Sequence, residues 1–333
     1  RLVEKAKESF RRGDLFEVAA VAELSPSIRD TVGERYGVPK ERRYPDLTSL
    51  LEGAAGPDGT ADVSAVILLT SGSHGDAVVA SLERGLSVFC EKPLAYTVAE
   101  ADRIAAAEAA LGRPALLLGY MKEYDDAVAR LRERLAGIDP ADIRAVDITV
   151  LHPSGEAQLA FANLAPRVDD VPADALARMI AADDAHLDAA VGATTSGRLR
   201  RLYKGVVLGS IVHDTSLLRG LFGGLTHVDS VRAWPDDVVP PSVEITGRLD
   251  SPGENAGVNG AQARISWHYL DAYPAYRETL TVVHATGSLR VTFGTPYVAN
   301  AVTEFAAVDG HQNDEVTTVH RSTTEAFENE LVA

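Results

Sequence analysis

The chain has one cysteine, Cys90, in 333 residues. No intramolecular disulfide can form, so burial and hydrogen bonding must hold the fold, and a reducing, cytoplasmic setting is expected. Basic residues are also short: 32 Lys and Arg stand against 48 Asp and Glu, a formal net charge of −16. Nucleic-acid binding needs a basic face, so no nucleic-acid partner is expected. No apolar run approaches the roughly 18 residues of a spanning helix, and no signal-peptide pattern is visible, so no membrane partner is expected either. No Cys/His spacing fits a metal site, and no Gly-x-Ser-x-Gly elbow occurs. What is present is an acidic chain of two-domain length, 46% hydrophobic, enough to fill ordinary cores.

Two patterns divide it. In the first, strands alternate with helices. Leu2, Val3, Ala6 and Phe10 lie at helical spacing before Gly13-Asp14. Strands are expected at Phe16–Leu24, Val63–Thr70, Leu86–Cys90 and Leu116–Met121. Helices are expected at Ser25–Tyr36, Tyr44–Gly53, Ser73–Arg84 and Thr97–Leu111, with a Gly-rich loop at Ala54–Thr60. Gly37 and Gly85 follow helix ends, and Thr97 with Glu100 makes a capping box. This alternation predicts an α/β, doubly wound, Rossmann-type parallel sheet.

The second pattern begins after the helix Tyr124–Leu135. Strands at about 143–151, 226–234, 242–250, 260–270, 274–284, 287–293, 298–308 and 314–320 follow one another, with Pro274 and Gly287 at turns. Consecutive strands predict an α+β domain with a large, mainly antiparallel open sheet. Residues 152–204 form a helical insert, acidic over Asp169–Ala190 and basic over Arg198–Lys204. The expected domains are therefore 1–123 and 124–333, the second carrying the insert.

Leu86–Cys90 stops on Glu91-Lys92-Pro93. Pro93 cannot donate to a ladder and keeps Lys92 extended. A charged pair at the carboxyl end of a buried parallel strand sits where open α/β sheets bind ligands, although the same residues suit a salt-bridged surface turn. The preceding strand ends in Thr70-Ser71-Gly72-Ser73-His74. Glu23 closes the strand before that; an acid there accepts hydrogen bonds from ribose hydroxyls and repels a 2′-phosphate, a bias that Arg29 softens. Much later, Val206, Val207, Leu208, Ile211, Val212, Leu217 and Leu218 form an apolar helix body around His213-Asp214. A lone His in such a setting is more often a core residue than a catalyst.

These stretches in this order, the Glu91-Lys92-Pro93 turn and the His213-Asp214 helix above all, resemble the Gfo/Idh/MocA family of sugar and polyol oxidoreductases. The resemblance runs along nearly the whole chain. It implies a dinucleotide-binding first domain, a substrate and oligomerisation second domain, and NAD as cofactor with NADP as the alternative. It places Glu23, Thr70, Ser71, His74, Glu91, Lys92 and Pro93 at the cofactor. It makes Lys92 and His213 catalytic and turns Lys122, Tyr124, His213 and Asp214 towards a small carbohydrate-like substrate. An ammonium at the reacting carbon stabilises a developing alkoxide, and an imidazole suits proton transfer at neutral pH. The Lys92–Pro93 bond is expected cis. The family's first strand and glycine-rich phosphate loop would lie before Arg1, so the loop's glycines are unassigned.

Two departures matter. Gly209 stands where the family often has an Asp one turn before the His, and Glu123 replaces a commonly basic residue. Asp214 lies about 100° round the helix from His213 and is expected to face elsewhere. The open sheet is expected to join copies as a homo-oligomer, dimer or tetramer, and the insert, placed before the His213 helix, is expected to cap the site. Three rivals keep the fold: a redox-neutral sugar-modifying enzyme that oxidises, eliminates and reduces with held NAD, a nucleotide-binding regulator without turnover, and a structural subunit of a mixed oligomer.

Overall fold

The computed structural model describes residues 17–53, 63–154, 170–249, 260–273, 275–296, 298, 301–311 and 313–332. The helix expected at the amino end, Phe16, the Ala54–Thr60 loop, residues 155–169 and Pro274 lie outside the described residues. In chain order the elements used below are β1 Val21–Ala22, α1 Pro26–Tyr36, β2 Arg43–Tyr44, α2 Leu47–Gly53, β3 Ala65–Leu68, α3 Gly75–Leu82, β4 Ser87–Glu91, α4 Val98–Ala110 and β5 Leu116–Gly119. There follow α5 Asp126–Leu135, β6 Ile143–His152, α6 Ala173–Val191, α7 Gly197–Arg201, a π-helix Leu202–Ile211 and α8 Val212–Phe222. Strands β7 Leu225–Trp234, β8 Ser242–Leu249, β9 Ala261–Tyr269, β10 Arg277–His284, β11 Gly287–Phe293, β12 Thr303–His311 and β13 Asp314–Ser322 precede α9 Ala326–Val332. Two compact units result.

The first unit runs to Gly119 and takes in the insert up to Arg200. Its local signals act as the residues dictate. Ser25 caps α1, its hydroxyl accepting from Ile28 N at 3.2 Å, and Gly37 ends that helix at φ 69°. Thr97 and Glu100 form the expected capping box on α4. Strands β3, β4 and β5 pair in parallel, and β1 pairs in parallel with β2. Tyr44 was expected to open a helix and instead ends the strand Arg43–Tyr44, the helix starting at Leu47; a two-residue strand is too short to leave a periodic trace. Val66, Leu68, Val88 and Cys90 pack against Val78, Leu82 and Ile104 in the core. In a doubly wound sheet a first strand runs between two such groups of strands; among the described residues no strand takes that place.

Residues 170–200 were expected with the second domain and instead group with this unit. The reason is long-range. Tyr96 donates its hydroxyl to Asp183 on α6 at 2.7 Å, and His186 Nδ1 lies 3.0 Å from Glu100 Oε1.

The second unit holds one eight-stranded sheet in the order β13-β12-β11-β10-β6-β9-β8-β7. Only β6 and β9 pair in parallel; the other neighbours are antiparallel. Alternation decides which face is covered. Ile265, Ile148, Leu280, Val291 and Phe305 are cross-strand neighbours and all are buried. They join Val128 and Leu131 of α5 and Leu217 and Leu218 of α8 in the main core. Among the described residues no helix is long and apolar enough to cross a membrane, and no group of three metal-ligating side chains occurs.

Candidate active site

In the first unit, the expected cofactor residues gather at the carboxyl ends of the parallel strands. Glu23 follows β1, and its Oε1 accepts from Ser25 N at 2.9 Å. Arg29 donates from Nη1 to the Glu23 carbonyl at 3.0 Å. Thr70 and Ser71 are exposed after β3. Glu91 closes β4, and Lys92 N donates to its Oε2 at 3.1 Å. Burial raises the Glu91 carboxyl above the usual range, with the Lys92 charge opposing. The Lys92–Pro93 bond is cis.

His74 is buried, and its role is now visible. Nδ1 lies 2.7 Å from the Pro93 carbonyl and Nε2 2.9 Å from the Thr70 carbonyl. Its backbone N–H donates to Leu94 O at 3.1 Å. Both ring nitrogens thus face protein carbonyls. The residue expected at the cofactor is a tie between the Thr70–Ser71 turn and the Glu91-Lys92-Pro93 turn.

In the second unit, His213 is buried on α8, edge-on to Tyr120 at 6.1 Å between centroids. Asp214 is fully buried. It belongs to a cluster that the sequence did not announce. Lys122 is ion-paired with Glu278, the Tyr276 hydroxyl donates to the same Glu278 oxygen, and Lys122 Nζ lies 5.3 Å from the Phe293 ring centroid. Desolvation, then the Glu278 charge, push the Asp214 carboxyl well above the carboxylate range, and Lys122 opposes them. Lys122, implied by the resemblance to meet substrate, and Asp214, which helix geometry turned away from the His213 side, are both buried in this cluster. Glu278 sits on β10 and Tyr276 just before it, some 150 residues from Lys122. The one available signal was an acid in the inward register of Glu278, Leu280 and Val282.

Burial is also the first cause that raises the Tyr124 phenol, with Glu330 and Glu123 adding to it. Glu123 accepts from the Ser216 hydroxyl. At Gly209 an added Cβ would meet the Lys204 carbonyl at 3.4 Å, an ordinary contact, so space does not dictate the glycine. The basic run Arg198–Lys204 is partly spent within its own segment: Arg200 pairs with Asp188 and, at 3.5 Å, with Asp184.

A unit of parallel strands with polar groups at its strand ends, in one chain with a large, mainly antiparallel open sheet, is a mixed α/β architecture with a Rossmann-like part. Residues 3–120 match the Gfo/Idh/MocA model, described as an oxidoreductase family with an NAD-binding Rossmann fold. An inositol 2-dehydrogenase of Mycolicibacterium gilvum is 44% identical over 78 residues, 23% of this chain and 22% of that protein. An inositol 2-dehydrogenase of Acidothermus cellulolyticus is 37% identical over 120 residues, 36% of this chain and 33% of that protein. The matched part thus spans a third or less of these relatives' length. The fold is shared more widely. The crystal structure of an inositol dehydrogenase homolog from Azotobacter vinelandii, complexed with NADH and myo-inositol, has a TM-score of 0.62 at 17% identity, over 92% of this chain and 74% of that one.

Proposed function

We propose that this chain is an NAD-dependent oxidoreductase moving a hydride between nicotinamide and a hydroxyl-bearing carbon of a sugar, cyclitol or polyol, in the cytoplasm. Inositol-like rings are the first class to test, because the named relatives act on inositol. The observation that carries the reading is the Glu91-Lys92-Pro93 turn at the end of β4, tied to the β3 turn by His74 and lying within the family-matched residues. The groups at the strand ends fit a dinucleotide. Glu23 offers a carboxylate to ribose hydroxyls, Thr70 and Ser71 expose hydroxyls, and Glu91 offers a second carboxylate.

Bound NAD would supply the hydride acceptor, C4 of its nicotinamide. Lys92 holds an ammonium against the negative charge that develops on the carbinol oxygen. His213 takes the hydroxyl proton. Gly209, four residues before it, brings no carboxylate to the imidazole. Tyr124 joins His213 as a substrate group, while Lys122 and Asp214 remain in the buried Glu278 cluster. Gly209 also favours a second reading, the redox-neutral one, in which NAD stays bound and returns its hydride.

The test is a panel of inositols, sugars and polyols offered to the full chain with NAD and with NADP. NADH accumulation supports the dehydrogenase; converted sugar without NADH supports the redox-neutral enzyme. No turnover and no dinucleotide bound in calorimetry would sink both.

A further inference from the structure

The first turn of α1 follows the end of β1, where a doubly wound sheet holds the adenosine ribose. Its donors are already taken. Ser25, 1% exposed, turns its hydroxyl to Asp170. Ser27 N donates to the other oxygen of the same carboxylate at 2.8 Å. Ser25 N donates to Glu23. Arg29, the nearby cation, is engaged with the Glu23 carbonyl. Asp170 reaches this turn from 145 residues further along the chain. Its segment is held on the same unit by Asp183 at Tyr96 and by His186 at Glu100.

Backbone N–H groups at a helix start, a hydroxyl and an arginine are the donors that accept a phosphate. Here the anion on the hydroxyl and on one of those N–H groups is a side chain of the protein itself. We infer that Asp170 is a specificity-determining residue: its carboxylate occupies the donors that a 2′-phosphate on the adenosine ribose would need, and disfavours NADP. The inference rests on the dinucleotide-binding reading above and adds to Glu23 a carboxylate that no local motif contains. A phosphate of charge about −1.5 to −2 would have to displace Asp170 and then face Glu23. A ribose with free hydroxyls brings no charge and needs no displacement.

Calorimetry on the full chain tests this with NAD and NADP, and with 5′-ADP and 2′,5′-ADP as cofactor-end probes. Asp170→Ala should raise the NADP-to-NAD affinity ratio by roughly tenfold, with NAD itself changing little. The same variant should tighten 2′,5′-ADP relative to 5′-ADP, and added salt should shrink the gain. Asp170→Glu, which keeps the charge, should stay near the parent ratio. An unchanged ratio in Asp170→Ala overturns the inference, as does an equal fall for both dinucleotides, which would make Asp170 a tether for its segment only. A parent that binds NAD while the ratio stays fixed defeats this inference alone. A parent that binds neither dinucleotide defeats the functional reading beneath it.

Discussion

Lys122 and Glu278 are both withdrawn from water, and a third charged group, Asp214, is buried beside them. One cation cannot balance two carboxylates in a low-dielectric setting, and Asp214 is pushed towards its protonated form by burial and by the Glu278 charge. The sign of the pH effect follows. Asp214 has a folded pKa raised above its ordinary 3.8. Its burial therefore costs nothing below that value, and stability is lost as pH rises through the folded value. Asp214→Asn mimics the protonated acid and escapes that loss. The variant's melting temperature, relative to the parent's, should rise from acid to neutral pH; an equal difference at both would refute the protonated assignment. Lys122→Met makes the opposite change. It strands Glu278 and should cost about 3–5 kcal/mol in denaturant unfolding. For turnover, Lys92→Ala should lose on the order of 10²–10³ while NAD still binds. His213→Ala should lose about 10². Full steady-state activity in Lys92→Ala would remove the catalytic assignment.

Glu100 shows how one element end can serve several purposes. Its Oε2 accepts from Thr97 N at 3.2 Å and Tyr96 N at 3.0 Å, closing the α4 capping box. Its Oε1 accepts from the Ser73 hydroxyl at 2.6 Å and meets His186 of α6. Thr97→Ala removes only the cap and should cost about 0.5–2 kcal/mol. Glu100→Ala should cost more and also increase hydrogen exchange along α6; exchange confined to α4 would show that the helix is held elsewhere. The contrast explains what was legible in the sequence. The cap of α4 spans three residues, and the alternation in β9, β10 and β11 spans a few more, so local spacing reveals both. The docking of α6 depends on Tyr96 and Glu100 meeting Asp183 and His186, and no spacing encodes that meeting. The π-turns of Leu202–Ile211 escaped for a different reason: apolar spacing around His213 reads the same way for neighbouring helix types. At the site, the strand-end residues were read from motif and resemblance, whereas Glu278 and Asp170 emerged only once distant segments were paired.

Among the described residues the eight-stranded sheet has one covered face and one bare one, as antiparallel sheets permit. On the bare face Ser230, Thr246, Arg264, Asp147, Thr281 and Arg290 are successive cross-strand neighbours, and Arg264 pairs with Asp147 at 3.0 Å. The edge strands carry exposed valines among polar residues: Val231 on β7 is 62% exposed and Val316 on β13 is 60% exposed. Long edge strands with exposed valines invite pairing unless something covers them. We therefore propose that copies of this chain associate through this sheet as a dimer or tetramer. A two-fold interface repeats every charge on both partners, so one added carboxylate counts twice. Thr281 is the cross-strand neighbour of Asp147. Thr281→Glu should place like charges together in the interface and lower the mass seen in sedimentation equilibrium, while far-UV circular dichroism stays that of the parent. If the parent is an oligomer and Thr281→Glu keeps its mass, the subunits meet elsewhere. A monomeric parent would mean that the bare face is simply a solvated one, its threonines and ion pairs satisfied by water.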